Sequence, residues 1–86
     1  MTPQQLRQRL TVLQPSRLDI QDDSAQHRGH AGNSGGGHYS ITIESSLFAG
    51  KSTIIRHRLV YQAVGDLAAS GIHALSIQAI APGENP

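Results

Sequence analysis

The sequence contains no cysteine, no tryptophan and only one methionine in 86 residues, and aromatic residues make up just 3% of it. Without cysteine the chain can form no disulfide and can offer no thiolate of its own to a metal or a substrate. Few aromatic residues and a formal net charge of +1 do not favour nucleic-acid binding through charge and base stacking alone. No apolar run approaches the length needed to span a bilayer. We therefore expect a cytoplasmic protein without a membrane segment.

The length predicts one domain, residues 1–86, with a small core, because chains of this size bury only about 60–65% of their unfolded surface. A first helix is predicted at the start of the chain. Thr2 can cap it and Pro3 suits its first position. The residues Leu6, Leu10 and Leu13 then recur on one face, which indicates an amphipathic helix.

A second helix is predicted from Ser52, which can cap its first turn, to Gly71, which ends the apolar pattern. Its apolar stripe contains Ile55, Leu59, Val60, Ala63, Val64 and Leu67. Arg56 falls within the arc of this stripe. We therefore expect Arg56 to have a buried or half-buried partner.

Three further segments have the patterns of β-strands. Residues 17–22 and 38–44 alternate between apolar and polar side chains, which predicts a hairpin with one buried face. Residues 72–80 are rich in apolar side chains on both faces, which predicts a strand covered on both sides. Residues 23–37, rich in glycine and containing two histidines, are predicted to form a long flexible loop. Residues 81–86 are predicted to form a frayed tail.

The predicted order is helix, strand, strand, short helical turn, helix and strand. It indicates an α+β fold, a two-layer sandwich in which one face of a three-stranded sheet packs against the helices. Fold class alone does not decide the function.

The second half of the chain carries three motifs in succession. They are Phe48-x-Gly50-x-Ser52, Arg56-His57-Arg58-Leu59-Val60-Tyr61 and Ile72-His73-Ala74-Leu75-Ser76-Ile77. Together they resemble the signature of the BolA family, and the resemblance extends upstream through Asp23-Ser24 and His38-Tyr39. Tyr39 stands where the family typically has phenylalanine. The resemblance implies a type II KH-like fold.

The resemblance also implies an adaptor, not an enzyme, that shares a [2Fe-2S] cluster with a monothiol glutaredoxin. His73 corresponds to the constant cluster ligand, and a loop histidine, His27 or His30, supplies the second ligand. Two histidines can replace two cysteines on one iron of such a cluster. The glutaredoxin cysteine and bound glutathione would supply the sulfur ligands that this chain lacks. Since histidine binds metal as a neutral ring, we expect the complex to weaken below about pH 6.5.

The residues also permit plainer roles. Because His73 lies in phase with Leu75, its spacing alone predicts a histidine at the edge of the core. His27 and His30 read equally well as solvated residues, and their spacing is weak support for a zinc site. His38 is predicted to approach His73 if their strands are neighbours. It would then contact the ligand residues without binding the cluster itself.

The alternative function is that of a KH-like DNA-binding transcriptional regulator. Four basic or titratable residues cluster at the start of the second helix: Lys51, Arg56, His57 and Arg58. Phosphate can bind at such a helix start. These residues are equally candidates for a protein-binding surface. The flanking arginines disfavour His57 as a metal ligand, and a weak homodimer is left open.

Overall fold

The computed structural model describes residues 1–23 and 37–85. Its main elements are α1 (Pro3–Leu10), β1 (Arg17–Asp22), β2 (Gly37–Glu44), α2 (Thr53–Val64) and β3 (Ile72–Ile80). Short 3-10 helices at Thr11–Leu13 and Ser46–Phe48 extend α1 and follow β2. The predicted α+β class and order of elements are confirmed. No helix in the described part of the chain is long and apolar enough to cross a membrane.

The two main helices begin where the sequence predicts, because both have side-chain caps. The Thr2 hydroxyl accepts a hydrogen bond from the Gln5 amide at 3.2 Å, and the Gln5 side chain accepts one from the Thr2 amide at 2.9 Å. This reciprocal pair is a capping box. The Ser52 hydroxyl accepts a hydrogen bond from the Ile55 amide at 3.3 Å.

The sheet has the strand order β1-β2-β3. β1 and β2 pair antiparallel, with Leu18 opposite Ile43 and Ile20 opposite Ile41, so the predicted hairpin is confirmed. β3 pairs parallel to β2. Parallel neighbours need a crossover connection, and α2 lies within it.

The core lies between one face of this sheet and the two helices. From the helical side come the buried residues Leu6, Leu10, Leu13, Phe48, Val60 and Val64. From the sheet come the buried residues Tyr39, Ile41, Ile43 and Ile72. Alternation along β2 places Tyr39, Ile41 and Ile43 on the same face, toward the helices.

α2 is shorter than predicted, and only part of its predicted apolar stripe is buried in the core. It ends at Val64, because Gly65 adopts a φ of 88° that favours glycine and ends the helical conformation. Gly71 therefore follows a separate turn. Val60 and Val64 are fully buried, whereas Ile55, at the start of the predicted stripe, is 37% exposed.

The middle of β3 is covered on one face only, so the prediction of a strand covered on both sides is wrong for that part. Leu75 and Ile77 are half-buried on the helical side, while Ser76 and Gln78 are exposed on the other. The described helices lie against a single face of the sheet. On the opposite face of β3, the apolar residues are Ala74, which is exposed, and Ile80, which is buried at the end of the strand.

Arg56 has a partner, as predicted, but this partner is the exposed residue Glu84, whose side chain is 43% exposed. The Arg56 guanidinium donates to the two carboxylate oxygens of Glu84 at 2.6 and 2.8 Å, and also to the carbonyl of Ala79 at 3.1 Å. Glu84 in turn accepts from the Ala81 amide at 2.9 Å. The hydrogen bonds from Arg56 are the main reason that the pKa of Glu84 is lowered to about 2. The segment predicted to fray is thus anchored as far as Glu84.

Candidate functional site

A β-bulge brings His73 beside His38. Gly37 pairs with Ile72, but the next residue, His38, pairs with Ala74, so the register shifts by one and His73 has no opposite residue on β2. The imidazole rings of His38 and His73 have centroids 4.9 Å apart and planes inclined by 43°. The predicted approach of these two histidines is confirmed. Bulges commonly redirect a side chain at functional sites.

The bulge also alters the burial of His73. Its spacing from Leu75 predicted a histidine at the edge of the core, but the residue is exposed. His38 is half-buried on the polar side of β2. An exposed imidazole is accessible to a ligand carried by another molecule.

The two histidines lie at the end of the sheet where segment 24–36 leaves β1 and returns to β2. The Asp23 amide donates to the carbonyl of His38 at 2.7 Å, and the Ser40 hydroxyl donates to the Asp23 carboxylate. The Gly37 amide donates to the carbonyl of Gly71 at 2.8 Å. Both ends of the segment are therefore held near the histidine pair. The predicted ligands His27 and His30 fall within 24–36 and lie outside the described residues.

Tyr39 fixes the start of β2 next to His38. Its ring is buried and its hydroxyl donates to the carbonyl of Met1 at 2.9 Å. Burial, together with the negative charge of Asp22, raises the pKa of this hydroxyl. A Cβ on Gly37 would lie only 2.7 Å from the Tyr39 ring, so only glycine fits there without rearrangement. The sequence predicted Gly37 to lie in the loop, so this role was missed; a glycine within a strand often marks the close approach of another group.

The histidine pair offers nitrogen ligands of the kind that can replace cysteine on iron. Within residues 1–23 and 37–85, no three side chains of histidine, cysteine, aspartate or glutamate are grouped so as to hold a metal ion. The described end of the sheet thus presents two imidazoles. This donor set fits one part of a mixed histidine and thiolate site.

The basic residues predicted on α2 do not form one surface. Arg56 turns inward to Glu84, and its side chain is only 12% exposed. Lys51 and Arg58 are exposed. A shallow depression on the outer side of α2 is lined by Ile54, His57, Arg58, Tyr61 and Gln62.

Comparison with known proteins decides the family. The family model described as BolA-like protein matches residues 10–84. The chain belongs to the BolA family. The solved BolA domain of SufE1 from Arabidopsis thaliana is 40% identical, with a TM-score of 0.80 over 99% of both chains. The structure of this BolA protein therefore has the fold of a known BolA domain.

Curated BolA relatives are longer than this chain. SufE-like protein 1, chloroplastic/mitochondrial, of Arabidopsis thaliana is 45% identical over 78 residues, which cover 84% of this chain and 21% of that protein. Protein BOLA1, chloroplastic, of the same plant is 42% identical over 78 residues, covering 86% of this chain and 49% of the relative. The chain thus spans half or less of the length of these two relatives.

A third BolA relative has a name that states a function. The DNA-binding transcriptional regulator BolA of Vibrio cholerae is 39% identical over 64 residues, covering 74% of this chain and 58% of that protein. The names of these relatives include both a regulator and a BolA domain within a larger SufE-like protein.

Proposed function

We propose that the chain is a non-enzymatic adaptor that shares a [2Fe-2S] cluster with a monothiol glutaredoxin, for iron-sulfur trafficking or iron and redox regulation. The observation that carries this proposal is the exposed ring of His73 beside His38, at the end of the sheet where segment 24–36 begins and ends. His73 is the proposed ligand from β3. His27 or His30 is the proposed second ligand.

The chain's own residues would perform three tasks in this site. His73 would offer one ring nitrogen as a neutral donor, and the bulge would present that ring to the partner. His38 would restrict the orientation of the His73 ring, as groups behind a metal-binding histidine commonly do. The hydrogen bonds of Asp23 to β2 would hold the start of the segment that carries the second ligand. The cluster, when bound, is the cargo that is passed on or sensed.

The test is an anaerobic reconstitution of the purified chain with a monothiol glutaredoxin, glutathione, iron and sulfide, followed by visible absorbance and circular dichroism. We expect a heterodimer spectrum that differs from that of glutaredoxin alone. His73→Ala should lose it. His27→Ala and His30→Ala, measured separately, identify the loop ligand, because only one of them should lose it.

The matched control is His57→Ala, which removes an imidazole from α2 instead of from the sheet end. This variant should keep the wild-type heterodimer spectrum. An unchanged spectrum in His73→Ala, or a wild-type spectrum identical to that of glutaredoxin alone, would contradict the proposal.

A second candidate function is DNA binding in transcriptional regulation. It is favoured by the name of the Vibrio cholerae relative and by the exposed side chains of Lys51 and Arg58 near the start of α2. Arg56 contributes less than the sequence predicted, because Glu84 already neutralises it. Binding of a DNA duplex by the wild type, but not by Lys51→Ala/Arg58→Ala, would support this function.

A further inference from the structure

β3 is an edge strand, and its outer side is not paired with another strand in the part of the chain that the structure describes. The carbonyl of Ile80 accepts from the Ser45 amide at 3.0 Å, so it faces β2. Backbone groups of successive strand residues point to opposite sides. The carbonyl of Ala79 therefore points outward, where Arg56 reaches it. By the same alternation, the amide and carbonyl groups of Leu75 and Ile77 face the open edge.

The two ends of this edge differ. Arg56 and Glu84 occupy the end near Ala79, where they would obstruct an added strand. At the end near His73, no described residue obstructs the edge in this way. β3 contains neither a charged residue nor a proline, and these are the residues that usually protect an edge strand from pairing with other chains.

We propose that the partner which brings the cluster docks by adding an extended segment of its own backbone to the outer edge of β3 at Leu75 and Ile77. This proposal rests on the proposed function. Leu75 lies two residues after His73, or about 7 Å along the strand. A partner that places sulfur-held iron at His73 is therefore within reach of this part of the edge.

The chemistry of the edge specifies what the partner must offer. Added strands bind mainly through backbone hydrogen bonds, and side chains at alternate positions provide selectivity. Leu75 and Ile77 are half-buried on the helical side, so a partner residue on that side should be apolar. Ser76 and Gln78 are exposed on the other side, so the partner residue there should be polar. The expected ligand is an extended segment with alternating apolar and polar residues and no proline at its bonding positions.

A substitution pair separates backbone from side-chain effects. Ile77→Pro removes the outward amide as well as the side chain, whereas Ile77→Ala removes only the side chain beyond Cβ. Proline is tolerated on an edge strand when its missing amide faces outward. We expect Ile77→Pro to bind cluster-loaded glutaredoxin roughly three- to tenfold more weakly than Ile77→Ala, as the loss of one hydrogen bond implies. At saturating partner concentration both variants should give the wild-type heterodimer spectrum.

Hydrogen–deuterium exchange of the wild-type chain tests the same contact without a substitution. The amides of Leu75 and Ile77 should exchange quickly in the free chain and slowly in the heterodimer, while the inward amides of Ser76 and Gln78 are slow in both. Equal affinity of the two Ile77 variants, or unchanged exchange at Leu75 and Ile77, would overturn docking at β3 and leave the shared cluster standing. Absence of any heterodimer spectrum from the wild type would overturn both proposals. Slow exchange of Leu75 and Ile77 in the free chain, accompanied by sedimentation as a dimer, would assign the edge to a second copy and also overturn partner docking.

Discussion

At the scale of single residues, Ser45 is the buried polar side chain that connects the two layers. It is fully buried, and its hydroxyl donates to the carbonyl of Leu13 at 2.6 Å while accepting from the Leu47 amide at 3.1 Å. Ser45→Ala would remove the hydroxyl that binds the Leu13 carbonyl and the Leu47 amide. We therefore expect the free energy of unfolding to fall by about 1–3 kcal/mol. Urea denaturation measures it. The exposed neighbour provides the control: Ser46→Ala should change the free energy of unfolding by less than about 0.5 kcal/mol, and an equally small change in Ser45→Ala would show that the hydroxyl is not needed.

The Arg56–Glu84 ion pair predicts a dependence of stability on pH. The pKa of Glu84 is lowered to about 2 from its ordinary value of 4.5, so folding favours the ionised carboxylate. Its contribution is present above about pH 4.5 and declines as the pH falls toward 2. Thermal unfolding between pH 6 and pH 2.5 should therefore show a smaller decrease in Tm for Glu84→Gln than for the wild type. Glu44→Gln, which removes a carboxylate that has no arginine ion pair among the described residues, should retain the wild-type slope; parallel curves for wild type and Glu84→Gln would contradict the assignment.

At the scale of elements, Gly65 determines where α2 ends. Its backbone has φ of 88° and ψ of −158°, and its amide donates to the carbonyl of Tyr61 at 2.9 Å. A side chain is strained in this conformation, so Gly65→Ala should lower the free energy of unfolding by about 1–3 kcal/mol. Gln62→Ala, at an exposed position within the same helix, should have little effect. If Gly65→Ala is as stable as the wild type in urea, the helix must be able to end in another way.

The sequence predicts those elements whose signals are local. The capping residues Thr2 and Ser52 start their helices as expected, and the three leucines of the first helix are buried. Both strands of the hairpin were recognised from alternation, and β2 begins only one residue before the predicted strand. The approach of His38 to His73 followed from placing their strands side by side.

Other features had no distinct local signal. The apolar spacing from Ala63 to Leu67 continues across Gly65, so the sequence shows an unbroken helix where the backbone turns. Alternation from His73 to Ile77 likewise conceals the bulge, which appears only when β3 is set against β2. Glu84 lies 28 residues from Arg56, and only the folded chain brings them together. The roles of His27, His30 and the other candidate ligands stay predictions.

At the scale of the whole molecule, two arginine charges are already paired with carboxylates among the described residues. In the described part of the chain, Arg17 pairs with Asp19 and Arg56 pairs with Glu84. Arg7 and Arg9 donate to the carbonyls of Leu18 and Val64, which leave their positive charge unpaired. Lys51 and Arg58 make no such bond there. The described cations without a carboxylate partner therefore lie in the helical layer, whereas the histidine pair lies on the sheet.

This distribution of charge predicts how DNA binding, if measured, should respond to salt. Each phosphate neutralised by lysine or arginine adds about 0.9 to the slope of log affinity against log salt for duplex DNA. Four cations of the described chain lack a carboxylate partner, Arg7, Arg9, Lys51 and Arg58. Together with Arg28, which lies outside the described residues, they give a slope no steeper than about −4.5 by this rule. Fluorescence anisotropy with a labelled DNA duplex measures this slope when the salt concentration is varied from about 50 to about 200 mM. Lys51→Ala/Arg58→Ala should make the slope shallower by about 2 while retaining the heterodimer spectrum, because the two sites use different layers of the fold. A slope near −6, which at about 0.9 per phosphate needs more contacts than these five cations provide, would show that Arg17 and Arg56 are released from their ion pairs on binding.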